Sequence, residues 1–184
     1  MKKKTFIGIA ISTVLLSMAW IMITPIILPA SQAVVAVAAP HRGFQPPSIN
    51  LQTPEGELIS LDDYSGQPVL VFFWASWCSV CKRVMPGLES VYQTYQDNGF
   101  IIFAVNTTSQ DSPSAAVDYY ISQGYTFPML MDMDGLASQN YRTHALPTSI
   151  LINPDGIIHD VMIGSTLTQG SLRAWLDSLE NIDL

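Results

Sequence analysis

Cysteine is almost absent from this chain of 184 residues. There are two, Cys78 and Cys81, and none lies near the N-terminus, which excludes a lipid carried there on a cysteine. A second C-x-x-C pair and an H-x-x-x-H spacing are both missing. A lone C-x-x-C supplies two ligands where structural zinc takes four, so the sequence supports no closed metal centre. The three histidines, His41, His144 and His159, are scattered and read as surface or half-buried polar residues. Charge is scarce as well: 12% of residues are charged and 48% hydrophobic, an apolar balance for a wholly soluble protein. Basic residues are the scarcer charge. Of eight Lys and Arg, three are Lys2, Lys3 and Lys4, which leaves five against all 15 acids, a net charge near −10 beyond residue 33. That balance argues against nucleic-acid binding, which needs basic patches. No segment repeats.

What is present begins with "MKKK" followed by a run from Phe6 to Leu28 that carries no charge. At about 23 residues it is long enough to cross a hydrocarbon core about 30 Å thick. The lysines hold the start on the cytoplasmic side and place the rest outside. Two readings compete. A cleaved signal peptide finds small-residue sites at Ser31–Ala33 and Ala36–Ala38. The run is longer than a usual signal core, which favours an uncleaved anchor through residues 6–28. The expected division is therefore 1–33 signal anchor or signal peptide, 34–46 flexible tether rich in Ala and Pro, and 47–184 the working domain. The expected location is the cell membrane, single-pass, with the domain on the extracytoplasmic side in periplasm or lumen, or secreted if the segment is cleaved.

Within the working domain "SINLQTPEGELISLDDYSG" reads as a short hairpin around Pro54-Glu55-Gly56. "VLVFFWA", Val69 to Ala75, and "FIIFAVN", Phe100 to Asn106, are continuous apolar runs suited to strands buried on both faces. Between them Cys78 to about Asn98 reads as a helix. Its predicted apolar stripe is Val80, Val84, Leu88, Val91 and Tyr95, and Asn98-Gly99 stops it. "SPSAAVDYYISQG" is a helix capped by Ser112, "FPMLMD" a short strand and "GLASQNYR" a short helix. "TSILINPDGIIHDVMIG" is a hairpin turning at Asn153–Gly156, and the closing helix carries Leu172, Trp175 and Leu179 inward. This alternation describes an α/β sheet covered on both faces.

Three chemistries compete for the cysteine pair. A structural disulfide from i to i+3 closes a very short loop and removes little unfolded-state entropy. A metal site lacks further ligands. In the third reading Cys78 heads a helix, where unpaired N–H groups and the dipole stabilise a thiolate, with Cys81 one turn later on the same face. Cys78 then attacks a substrate disulfide, and the more buried Cys81 resolves the mixed disulfide without any cofactor.

"VLVFFWASWCSVCKRVMPGLESVY" resembles the active-site strand and helix of the thioredoxin-like superfamily, with Trp74 and Trp77 before the pair, Lys82 after it and Pro86 within the helix. "ALPTSILINPDGIIHDVMIG" is similar to that family's cis-proline segment and hairpin. The resemblance implies a thioredoxin-like α/β fold: a central mixed sheet with helices on both faces, preceded by an N-terminal hairpin and a transmembrane or signal segment. It also implies a cis Leu146-Pro147 peptide facing the cysteines, where Leu146 and Pro147 receive substrate backbone. Trp77 reads equally as loop packing or as a docking surface for substrate. The leading hairpin, "LDDYSGQP" and the tether look like the exported TlpA/ResA-like thiol:disulfide oxidoreductases and the cytochrome c maturation thioredoxins. The implied partners are protein dithiol or disulfide substrates and a membrane thiol-disulfide electron donor.

The sequence departs from that pattern at two positions. Phe72 and Val84 stand where relatives keep acids that relay protons, which puts a dedicated cytochrome c role in doubt. Glu89 is further along the helix and is expected to point to solvent. The dipeptide Ser79-Val80 lacks the histidine of strongly oxidising members, so a more reducing couple is expected. Two alternatives remain. A thioredoxin-fold peroxidase would show a lone cysteine preceded by Thr and Pro and a distant arginine, and a non-enzymatic copper chaperone would bind metal through the pair without turnover.

Overall fold

The structure, a computed structural model, describes residues 39–180. The signal or anchor segment lies outside the described residues. Among those described, no helix is long and apolar enough to cross a membrane.

Strand β3 (Val69–Trp74) is an interior strand of the sheet, and all six of its residues are buried. Leu70, Phe72 and Trp74 enter one core, and Val69, Val71 and Phe73 enter a second on the opposite face. A run of bulky apolar residues without alternation can be satisfied only this way, with layers on both sides. On one flank β3 pairs in parallel with β4 (Ile101–Asn106), from Val69↔Ile101 to Trp74↔Asn106, and β4 pairs in parallel with β5 (Met129–Met131). On the other flank it pairs antiparallel with β6 (Thr148–Ile152), and β6 with β7 (Ile158–Ile163). β1 (Asn50–Gln52) and β2 (Leu58–Ser60) form an antiparallel ribbon. The ribbon joins β5 through Gln52↔Met131, so it is an edge of the sheet rather than a separate unit ahead of it. The full order is β2-β1-β5-β4-β3-β6-β7, a mixed sheet.

Helix α1 (Ser79–Tyr95) buries Cys81, Met85, Leu88, Val91 and Tyr92 against the first core. The predicted stripe is therefore rotated: Val80, Val84 and Tyr95 lie at its margin. Each residue advances about 100° around a helix, so burying Cys81 carries Met85, Leu88 and Tyr92 inward with it. A 3-10 turn, Gln96–Asn98, follows, and Gly99 at φ 86° takes the left-handed cap that ends the helix. Helix α2 (Pro113–Gln123) starts at Ser112, whose hydroxyl accepts from the Ala115 N–H at 3.5 Å, and ends at Gly124 with φ 68°. α4 (Gln169–Glu180) buries Leu172, Trp175 and Leu176 in the same core as α1, with Leu179 at the margin.

The second core is covered by the 3-10 turn Leu61–Tyr64 and by α3 (Leu136–Asn140), which contribute Leu61 and Ala137. The fully buried Asp132 anchors α3. Its carboxylate accepts from the N–H groups of Ala137 and Ser138 at 3.0 and 2.9 Å.

Residues 39–46 of the expected tether lie among the described residues and bond to β7. Gly43 donates to the Ile158 carbonyl at 2.8 Å and Ile158 donates to Phe44 at 2.9 Å. These backbone bonds to β7 tie down a stretch whose composition reads as loose.

Candidate redox site

The C-terminal ends of β3, β4 and β5 share one end of the sheet, and the antiparallel β6 brings its N-terminal end there too. Cys78 closes the loop after β3 and is the N-cap of α1, with φ −79° and ψ 99°. Its sulfur accepts from the Cys81 N–H at 3.1 Å, so one of the unpaired donors at the helix start already points at it. The two cysteines are joined by a disulfide with Cα atoms 5.3 Å apart. Cys81 is wholly buried and Cys78 retains 5% exposure, so attack from outside reaches Cys78 first.

The loop that presents Cys78 is clamped by its neighbour after β4. Asp111 accepts from the Ser76 N–H at 2.5 Å and from the Ser76 hydroxyl at 2.6 Å. The same carboxylate accepts from Asn106 Nδ2 at 2.9 Å and from the Ser112 N–H at 2.8 Å. Burial pushes the Asp111 carboxyl up, but the bonds from Ser76, Asn106 and Ser112 outweigh it and hold the group below its ordinary value. Trp77 is 61% exposed and its indole N–H donates to the Gln110 carbonyl at 3.0 Å. One edge of the ring thus packs on the loop after β4, and the rest is exposed. Trp74, by contrast, is fully buried. Sequence reasoning missed Asp111, because nothing local ties it to Ser76, 35 positions away.

The Leu146-Pro147 peptide is cis. The register Phe73↔Thr148 sets Pro147 beside the end of β3, on the approach to the cysteine loop. Leu146 is partly buried and packs against both cores, the first of which contains Cys78 and Cys81.

Phe72 is fully buried, and its cross-strand partners are Ala104 and Ser149. Ser149 is fully buried, and its hydroxyl has no hydrogen-bond partner. Glu89 keeps its carboxylate at the surface but bonded. It is half-buried, and its carboxylate accepts from the Thr126 N–H at 3.0 Å and the Thr126 hydroxyl at 2.7 Å. It braces the segment leading into β5, because that segment presents unpaired donors to the outer side of α1. Among the described residues, no group of three His, Cys, Asp or Glu is placed to hold a metal ion.

A mixed sheet with a C-x-x-C disulfide at the head of a helix and a cis-proline on the adjoining strand defines a thioredoxin-like protein. The model of the AhpC/TSA family matches residues 43–161, and the chain belongs to that thioredoxin-like family. It is 35% identical over 138 residues to "Thioredoxin-like protein YneN" of Bacillus subtilis, covering 74% of this chain and 79% of that one. It is 31% identical over 138 residues to "Thiol-disulfide oxidoreductase ResA" of the same organism, covering 75% of each. Among solved structures, StoA from Bacillus subtilis superposes with a TM-score of 0.62 at 31% identity, over 71% of this chain and 97% of that one.

Proposed function

We propose that the protein is a thiol:disulfide oxidoreductase that uses Cys78 and Cys81 on protein substrates, in the reducing direction. The observation that carries the reading is the Cys78 sulfur at the start of α1, bonded to Cys81 and receiving the Cys81 N–H. In the reduced protein the Cys78 thiolate attacks a substrate disulfide. The substrate S–S bond breaks, a mixed disulfide forms, and the first substrate sulfur leaves as a thiolate that takes a proton from water. Cys81, deprotonated, then attacks the Cys78 sulfur and expels the second substrate thiolate. Two electrons have passed to the substrate, and the protein is left as the disulfide seen here. A dithiol donor must reduce it again. With residues 6–28 as an anchor, residues 1–33 the targeting segment and the domain extracytoplasmic, a membrane thiol-disulfide donor suits that task. Leu146, Pro147 and the open face of Trp77 receive the substrate chain.

Reduction is favoured over oxidation because Ser79 and Val80 add neither a cation nor a further donor to the thiolate beyond what the helix start provides. Peroxide reduction by a lone cysteine fits less well, since Trp77 precedes Cys78 and its partner is already bonded to it.

The test is reduction of insulin disulfides by the full-length chain. Wild type should turn over with dithiothreitol as donor, and Cys78→Ser should be inactive. Cys81→Ser should accumulate a mixed disulfide through Cys78. An inactive wild type, or an active Cys78→Ser, refutes the proposal. Stoichiometric copper binding by the reduced wild type without turnover would instead favour the chaperone.

A further inference from the structure

Beyond residue 33 the chain has five Lys and Arg side chains and three histidines against 15 acids. Half of those eight side chains line one cavity of about 350 Å³: Arg42, Arg142, His41 and His144. They come from segments 100 residues apart, so only the fold gathers them. The acid at this cavity is Asp160, whose Oδ1 accepts from the Val161 N–H of its own strand at 2.9 Å. Among the described residues neither guanidinium has a carboxylate partner. Arg142 also has φ 50°, the one positive φ outside glycine among the described residues. It is the residue after the α3 cap Tyr141, where a left-handed conformation ends the helix and fixes where the Arg142 side chain starts.

The cavity adjoins the redox site. Thr148 and Ile163 both line it, and they face each other across β6 and β7. Thr148 directly follows the cis-proline, and the Gly164 N–H, next to Ile163, donates to the Pro147 carbonyl at 2.7 Å. A strand advances about 3.3 Å per residue, so a substrate chain laid over Leu146-Pro147 would pass the Thr148–Ile163 end of the cavity within a few residues of the reacting cysteine.

We propose that this cavity binds acidic side chains of the protein substrate, so that segments carrying Asp or Glu near their disulfide are preferred. This rests on the redox reading above. The wider surface carries a large excess of acids, and beyond residue 33 the other cations, Lys82, Arg83 and Arg173, lie on the helices α1 and α4, so a cavity that gathers two arginines beside the cis-proline both selects such a chain and orients it. Two arginines suit the task because each guanidinium offers paired donors to a carboxylate.

The test uses the full-length protein and two disulfide-linked peptides, identical except for Glu or Gln at the second and third positions from the cysteine. Wild type should show a kcat/KM for the Glu peptide roughly tenfold above that for the Gln peptide, and this ratio should shrink as salt is added. In Arg42→Gln/Arg142→Asn the ratio should fall to about one. Asn is chosen because it tolerates positive φ. Arg42→Gln alone, at an exposed position, should lower the ratio to roughly threefold, about half the effect on a logarithmic scale, even if position 142 proves intolerant. Each ratio is read within one protein, so a general loss of activity cancels. A wild-type ratio near one, or an unchanged ratio in the double variant, overturns the proposal. If wild type reduces neither peptide, the redox reading fails on its own. Fluorescence anisotropy with Cys→Ser peptides then decides: tighter Glu-peptide binding by wild type but not by the double variant upholds the cavity, and equal binding overturns it.

Discussion

Asp111 holds four hydrogen bonds on one carboxylate, and two of them come from Ser76, two residues before Cys78. It acts on the redox site as a positioning residue, through the loop rather than on sulfur. Asp111→Ala would strand these donors in a partly buried place, at about 1–3 kcal/mol. The pH dependence has a definite sign. The folded carboxyl titrates below its ordinary 3.8, so its contribution is complete above that value and is lost as pH falls through the lower folded value. Melting curves of wild type and Asp111→Asn should therefore differ near neutrality and converge in acid. Parallel curves down to the lowest pH would show that the charge does not matter.

At the scale of elements, α1 connects sequence to chemistry. One face of the helix is apolar, and turning it to bury Cys81 rather than Val80 also buries Met85, Leu88 and Tyr92. Leu88→Ala should cost about 2–5 kcal/mol, whereas Val84→Ala, at the half-buried margin, should cost less than half as much. Denaturant titration compares the two, and equal losses would contradict the rotated stripe. The helix itself was legible in the sequence because the 3.6-residue period and the Asn98-Gly99 stop are local signals. Its rotation was not, since that is set by how α1 and α4 share one core. Strands β3 and β4 were legible for a similar reason, as unbroken apolar runs have one stable environment. The bonding of Gly43 and Phe44 to Ile158 was hidden, because it uses backbone groups that every residue carries.

Taken as a whole, the molecule assembles its site at one end of the sheet from segments of very different legibility. Cys78 and Cys81 stand out because their relation is three residues long, and the segment around Pro147 because its motif is contiguous. Asp111 and the Arg42–Arg142 cavity reach across the fold and emerge only with the topology. Two histidines that look scattered in the chain are neighbours in space for the same reason. Phe72 was legible as a missing acid, and the fold adds that the buried polar group across from it, Ser149, is a hydroxyl with no partner. At this scale Cys78 and Cys81 are proposed to form a working two-electron couple on the reducing side. The most direct measurement equilibrates the full-length protein in thiol–disulfide buffers of graded potential, traps free thiols by alkylation and counts them by mass. Both cysteines should appear together, with a midpoint well below the roughly −120 mV of a strong disulfide donor. A pair that stays oxidised at every potential would make the bond a structural staple, and a midpoint near that donor's would reverse the direction of electron flow.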